Sequence, residues 1–256
     1  MMRRKISYES DVIAWDTTAP LLALPATFPR ARARNCCTSA RAGYAVPTRC
    51  AQHIRFLNDE GADLRNPLPE ELDRRAHLVR GRPRPLGMLG GIDEHTDAVL
   101  LVGYHARAGR GPAVLAHTMN DGILDVRVAG RSMGEIGLNA AMAGHLGLPV
   151  VLLSGDDSAC AELSDLVPST VTVAVKQALG QGAAVALHPA EARDRLRRAA
   201  AEAVTRRAQV SPLVLAGPLE VEVDLSAPFM VDLATLVPET YRLLLLLAQL
   251  ATIKPG

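Results

Sequence analysis

Aromatic residues are scarce in this 256-residue chain: Phe, Trp and Tyr together make up 3%. That removes the stacking platform on which binding of single-stranded nucleic acid depends. Cysteine is equally thin. Cys36, Cys37, Cys50 and Cys160 form no CxxC pair and no zinc-ribbon spacing, so neither a disulfide framework nor a thiolate metal site is encoded, and free thiols in a cytoplasmic protein are the expectation. No long hydrophobic run exists. The longest, Leu243–Leu247 continued to Ile253, is about half of the roughly 20 residues a spanning helix needs, so no membrane partner is expected. Basic Arg3-Arg4-Lys5 is followed by Ser7, Glu9, Ser10 and Asp11 where a secretory signal would place its apolar core. Also missing are an HExxH zinc motif, a GxSxG nucleophile elbow and a phosphate loop; Gly87-Met-Leu-Gly-Gly91 has no Lys-Ser/Thr anchor.

What is present is an ordinary globular composition, 48% hydrophobic and 21% charged, with a formal net charge of +1. The length suffices for one large α/β domain or two small ones. The small total conceals a division. Residues 1–57 hold nine basic and three acidic residues, a net of +6, while residues 58–256 hold 19 basic and 24 acidic, a net of −5. The basic leader is broken by Pro20, Pro25, Pro29 and Pro47, and Arg30-Ala-Arg-Ala-Arg34 has no apolar face. Only Ile6–Ile13 reads as a strand there, and residues 1–57 are expected to be atypical and poorly ordered. With so few aromatics, the Arg-rich 30–49 segment carries no nucleic-acid motif.

From about Phe56 the pattern alternates strand and helix. Asp97–Gly103 and Pro149–Ser154 are continuous apolar runs of the kind buried parallel strands show. Ile123–Val128 alternates like a more exposed strand, and Val171–Val175 is a further strand. Met133–Leu146, Ser158–Leu166 and Glu191–Arg207 have helical spacing. Strands interleaved with helices predict an α/β fold, a mostly parallel sheet between two helical layers, over 58–211. Leu219–Leu225 alternates with period two and predicts an amphipathic antiparallel strand. With helical stretches at Met230–Leu236 and Glu239–Thr252, it makes residues 212–256 a small C-terminal α+β appendage.

Polar residues at the carboxyl ends of buried strands are the candidates for chemistry, because those ends line the crevice of a parallel sheet. His105 lies at such an end and His117 follows 12 residues later. Glu135 opens a helix, with Asn139 on the same face at i+4. Asp156 and Asp157 follow a strand directly and are either reactive carboxylates or helix N-caps. Imidazoles and carboxylates together are a zinc-compatible donor set.

Residues 58–211 resemble the zinc-dependent D-aminopeptidases of the DppA type. The likeness is carried by Asn58-Asp59, Arg65-Asn-Pro-Leu-Pro-Glu-Glu-Leu72, Gly103-Tyr-His-Ala-Arg107, Ala116-His-Thr-Met119, Gly134-Glu-Ile-Gly-Leu-Asn-Ala140, Ser154-Gly-Asp-Asp157 and Ala174-Val-Lys-Gln177, in order. The tail, Leu219–Asp224 and Tyr241–Ala251, is similar to that family's C-terminal part. The resemblance implies a three-layer α/β fold, a hydrolase with two zinc ions per chain, short peptides with an N-terminal D-amino acid as substrate, and a ring-like homo-oligomer. It maps metal ligands onto His105 and Glu135 and a catalytic role onto His117.

The chain departs from the family pattern in three places. The family's opening Asp-x-Glu-Gly strand has as its nearest counterpart Glu9-Ser10-Asp11, reversed and without the glycine, so Glu9 and Asp11 are substitute ligands by position. The family's Asn-Asp-Ser-His-Gly reads Asn58-Asp-Glu-Gly-Ala62, which puts Gly61 at a ligand position. Leu236-Val-Pro238 runs directly into Glu239-Thr-Tyr241 where the family inserts a strand. A non-catalytic binding or assembly subunit is therefore the alternative to an active enzyme. Residues 8–55 read as an out-of-frame stretch of a GC-rich coding sequence, with decay and genuine divergence as rivals. Resequencing the coding DNA separates them: an intact in-frame read across codons 8–55 eliminates the first.

Overall fold

The computed structural model describes the backbone of residues 11–16 and 53–58, and residues 72–231 apart from 80, 82–85, 94 and 218. The expectations for 17–50 and for the two C-terminal helical stretches beyond residue 231 lie outside these residues. Seven strands form the main sheet in the order β3-β2-β1-β4-β7-β8-β9. These are β1 (Asp11–Asp16), β2 (His53–Asn58), β3 (Ala76–Val79), β4 (Ala98–Tyr104), β7 (Val150–Asp156), β8 (Val171–Gly180) and β9 (Ala183–Ala186). A second sheet, in the order β10-β5-β6, joins β5 (Ile123–Val128), β6 (Arg131–Ser132) and β10 (Val221–Leu225).

The apolar runs do what their composition demands. Every residue of β7 is buried, and six of seven in β4. Strands without a polar face must be covered on both sides. The covering helices are α1 (Glu135–His145), α2 (Asp157–Leu166) and α3 (Pro189–Thr205). Leu100, Leu101, Leu152 and Leu153 meet Ile136, Ala140 and Leu163 in the main core, while Ala192 and Leu196 of α3 close over Val173 and Val175. The result is the three-layer α/β arrangement read from the alternation of elements.

The sheet is mixed. β4–β7, β7–β8 and β2–β3 pair parallel, whereas β1 pairs antiparallel with both β2 and β4, and β9 antiparallel with β8. The single expected strand at Val171–Val175 continues to Gly180, turns at Gln181 and Gly182, and returns as β9. All four β9 residues, Ala183–Ala186, are exposed, and this edge hairpin lacks the apolar alternation that would have revealed it. The strand expected at 219–225 is β10, antiparallel to β5, and Arg127 fastens the two together through Glu222 and Asp224 at 2.6 and 2.7 Å.

Two close approaches shape the sheet end where β2, β4 and β7 finish. The ladder is irregular between Val102 and Tyr104, and Gly103 there adopts φ +79°, which favours glycine. Its N–H bonds the buried Ser154 hydroxyl at 3.1 Å. A side chain at Gly155 would meet the Tyr104 carbonyl oxygen. The chain thus leaves β4 in a fixed direction at His105. Leu153 is fully buried at the centre of this packing. Leu153→Ala is expected to cost about 3 kcal/mol, read as a lower urea midpoint with an unchanged m-value.

Candidate metal centre

Three side chains from three local structures converge beyond β4. His105 is the first residue after the strand, His117 lies in the following loop, and Glu135 is the first residue of α1. One ligand atom from each lies within 4.8 Å of the others, the one such group of three among the described residues. The imidazole rings stack with centroids 3.9 Å apart and planes 20° apart. His105 Nε2 stands 2.7 Å from Glu135 Oε2. His105 and Glu135 are buried, with 7% and 4% exposure, and His117 is half-buried.

Hydrogen bonds to the backbone set which atoms remain for chemistry. His105 Nδ1 contacts the Ala106 carbonyl at 3.0 Å, and His117 Nδ1 contacts the Leu115 carbonyl at 2.7 Å. A carbonyl oxygen only accepts, so each Nδ1 carries the proton and donates, and each Nε2 is directed elsewhere. This is how metal-binding histidines are commonly held. Glu135 Oε1 accepts from the Met119 N–H at 3.0 Å. Its Oε2 is fully buried without an aligned hydrogen bond, and His105 Nε2 is the group that faces it. A nitrogen lone pair and a carboxylate oxygen held this close require a cation, either a proton or a metal ion, between or beside them. The donor set, imidazole nitrogens with a carboxylate oxygen, fits zinc.

Burial alone would push the Glu135 carboxyl up. The contact with His105, the neighbouring His117 and the Met119 N–H outweigh it and hold the group below the usual carboxylate range. Its place at a helix N-terminus adds a favourable dipole. The His117 imidazole is pushed down, first by burial and then by the neighbouring His105, so it is the neutral base at physiological pH.

The His117 loop is tied on every side. His117 N–H donates to the Ala106 carbonyl at 3.3 Å, and Leu115 N–H to the Gln181 carbonyl at 2.9 Å. The Gln181 side-chain amide donates to the Ala116 carbonyl at 3.1 Å, and the Thr118 hydroxyl accepts from Ala108 N–H at 3.1 Å. These anchors hold two strained residues: Leu115 at φ +60° and Met119 at φ +61°.

The remaining candidates fall into place around the cluster. Asp156 is the N-cap of α2: Oδ1 accepts from Ala159 N–H at 2.7 Å and Oδ2 from Val114 N–H at 2.6 Å. Asp157 Oδ1 accepts from Ala178 N–H at 2.8 Å. Both aspartates therefore fix backbone. Asn139 donates to the Tyr104 hydroxyl at 3.1 Å and ties α1 to the end of β4. Asp11 opens β1 opposite Val102 of β4, a register that puts it at the same sheet end as His105. Glu9 lies outside the described residues. Sequence reasoning missed Glu162, a buried carboxylate on α2 that accepts from Arg107 N–H at 2.8 Å. Nothing in Ala161-Glu162-Leu163 marks that glutamate as different from a solvated one.

Known proteins match both the sequence and the fold of this chain. The D-aminopeptidase family model matches residues 42–245. The chain belongs to the D-aminopeptidase family. It is 37% identical over 158 residues to the D-aminopeptidase of Bacillus subtilis (strain 168), a match covering 62% of this chain and 57% of that protein. Among solved structures it is similar to the Zn-dependent D-aminopeptidase DppA from Bacillus subtilis, a self-compartmentalizing protease. The TM-score is 0.67 and the identity 30%, covering 75% of this chain and 76% of the other.

Asp156 joins the His117 loop to α2, so its removal frees two amides, one of them a helix cap. Asp156→Ala is expected to cost about 2 kcal/mol, more than Asp157→Ala, which frees one. Urea unfolding of the two variants checks the order.

Proposed function

We propose that this chain is a zinc-dependent aminopeptidase that hydrolyses short peptides with an N-terminal D-amino acid. In this reading His105 and Glu135 are zinc ligands and His117 is the catalytic histidine. The observation that carries it is the convergence of His105, His117 and Glu135 within 4.8 Å, with both Nδ1 atoms committed to backbone carbonyls. Membership of the D-aminopeptidase family and the likeness to a Zn-dependent relative support the choice of metal and substrate.

Zinc bound to these donors supplies Lewis-acid polarisation of the scissile carbonyl and an acidified water. The chain's own groups supply the rest. The low basicity of His117 keeps its Nε2 unprotonated near neutral pH, ready to take a proton and return it to the leaving amine. The Leu115 carbonyl holds the tautomer that makes this possible. Glu135 contributes negative charge at a fixed position because the Met119 N–H and the start of α1 restrain it. Its burial together with His105 keeps bulk water from competing for their donor atoms.

For the second ion of the family, Asp11 and Glu9 are the proposed carboxylates; the register of β1 against β4 supports Asp11. The proposed assembly is a homo-oligomer, ring-like and enclosing its sites, on the strength of the self-compartmentalizing relative. A cytoplasmic location fits a buried free thiol at Cys160 and the absence, among the described residues, of a helix long and apolar enough to cross a membrane.

Zinc per chain by elemental analysis and D-alanine release from short peptides test the reading together. The wild type is expected to bind zinc and release D-alanine; a zinc-free, inactive chain would favour the non-catalytic assembly subunit. His105→Ala is expected to lose both zinc and activity, and survival of activity removes the site. His117→Ala is expected to keep zinc while kcat falls roughly 10²–10⁴-fold. Loss of zinc to the same extent as in His105→Ala would make His117 a ligand instead.

A further inference from the structure

Glu162 is an expensive residue for which the reading above has no use. It lies on α2, 4% exposed, and its Oε1 is fully buried without an aligned hydrogen bond. Burial pushes its carboxyl up; the amides of Arg107 and Gly134 and the more distant charges of Arg110 and Arg107 only partly offset this. The nearest guanidiniums are engaged elsewhere, Arg107 Nη1 with the Ala108 carbonyl at 2.9 Å and Arg110 Nη2 with Asp165 at 3.3 Å. A buried acid kept without a cationic partner costs stability that an apolar residue would not.

What Glu162 touches gives it a purpose. Its Oε2 accepts the N–H of Arg107, two residues after His105, at 2.8 Å. The Arg107 backbone that it holds lies against Gly134, the residue before Glu135. Gly134 is the N-cap of α1 and has no side chain with which to cap it. A Cβ built on Gly134 would stand 2.5 Å from Arg107 Cβ and 2.8 Å from its Cα. The strand exit that carries His105 and the helix start that carries Glu135 are therefore in backbone contact. Only glycine permits that contact, and one carboxylate from a third element holds its Arg107 side.

We propose that Glu162 is a positioning residue that sets the separation of His105 and Glu135 by holding the Arg107 amide where its backbone meets Gly134. The function follows from geometry. Without the carboxylate, the Arg107 amide at the junction loses its acceptor and the contact at Gly134 can open. His105 and Glu135 then separate while each keeps its own backbone anchor. A glutamine at 162 keeps the shape but removes the charge that strengthens the bond to the Arg107 amide.

The experiment rests on the zinc reading in one arm and is independent of it in the other. Full-length wild type, Glu162→Gln, Glu162→Asp and Asp157→Ala are compared; Asp157 sits on the same helix but binds the Ala178 amide. In the first arm, competition titration with Zn2+ is expected to show affinity lowered about tenfold in Glu162→Gln. Glu162→Asp should recover part of it, and Asp157→Ala should bind zinc as wild type does. In the second arm, imidazole resonances are recorded on metal-free protein. Those of His105 and His117 are expected to shift in Glu162→Gln and to stay in place in Asp157→Ala. A Glu162→Gln chain that is folded, binds zinc like wild type and keeps its imidazole resonances overturns the proposal. A wild type that binds no zinc refutes the metal reading, while the resonances still decide the role of Glu162.

Discussion

The carboxylate of Glu135 carries a negative charge at a place where water does not reach, 2.7 Å from an imidazole nitrogen that is also buried. Two groups with the same demand for a positive partner, held this close and dry, dominate their surroundings. The Met119 N–H takes one oxygen, the first turn of α1 lends its dipole, and His117 stacks on His105. Both imidazole Nδ1 atoms are spent on backbone carbonyls, so each remaining ring nitrogen has its lone pair to offer. A site built in this way has a strong appetite for a cation and little freedom to satisfy it by rearranging.

That rigidity comes from elements that contribute no reactive group. The buried strands β4 and β7 fix the point at which the chain emerges at His105, and Gly103 and Ser154 fix its direction. Asp156 caps α2 while holding Val114, and so couples the helix behind the sheet to the loop that carries His117. Gln181 grips the same loop from the β8–β9 turn. The loop is braced from both flanks by residues whose own positions are set by the main sheet.

Much of this was legible in the residues. The runs 97–103 and 149–154 have no polar face, which forces a doubly covered strand, and His105 follows the first of them directly. The helix at 135–145 and the strand at 221–225 follow from spacing. The β8–β9 hairpin was not legible, because Ala183–Ala186 lies exposed at a sheet edge and has no pattern imposed by burial. Glu162 was hidden for the opposite reason: its helix carries Asp157 and Asp165 as well, and nothing local separates a buried acid from a solvated one. The choice between catalysis and capping at Asp156 needed the amides of Ala159 and Val114, which are three and 42 residues away.

Leu115 and Met119 stand two residues to either side of His117 with left-handed backbone. At such φ values a β-branched side chain clashes with its own backbone, while asparagine or glycine fits with less strain. The histidine is thus flanked by two positions where Val, Ile and Thr are shut out on steric grounds alone. Glycine there would relieve strain but return to the unfolded chain the freedom that the folded loop must remove. Variation in this loop is confined to a narrow set of residues by backbone geometry, before any demand of chemistry is added.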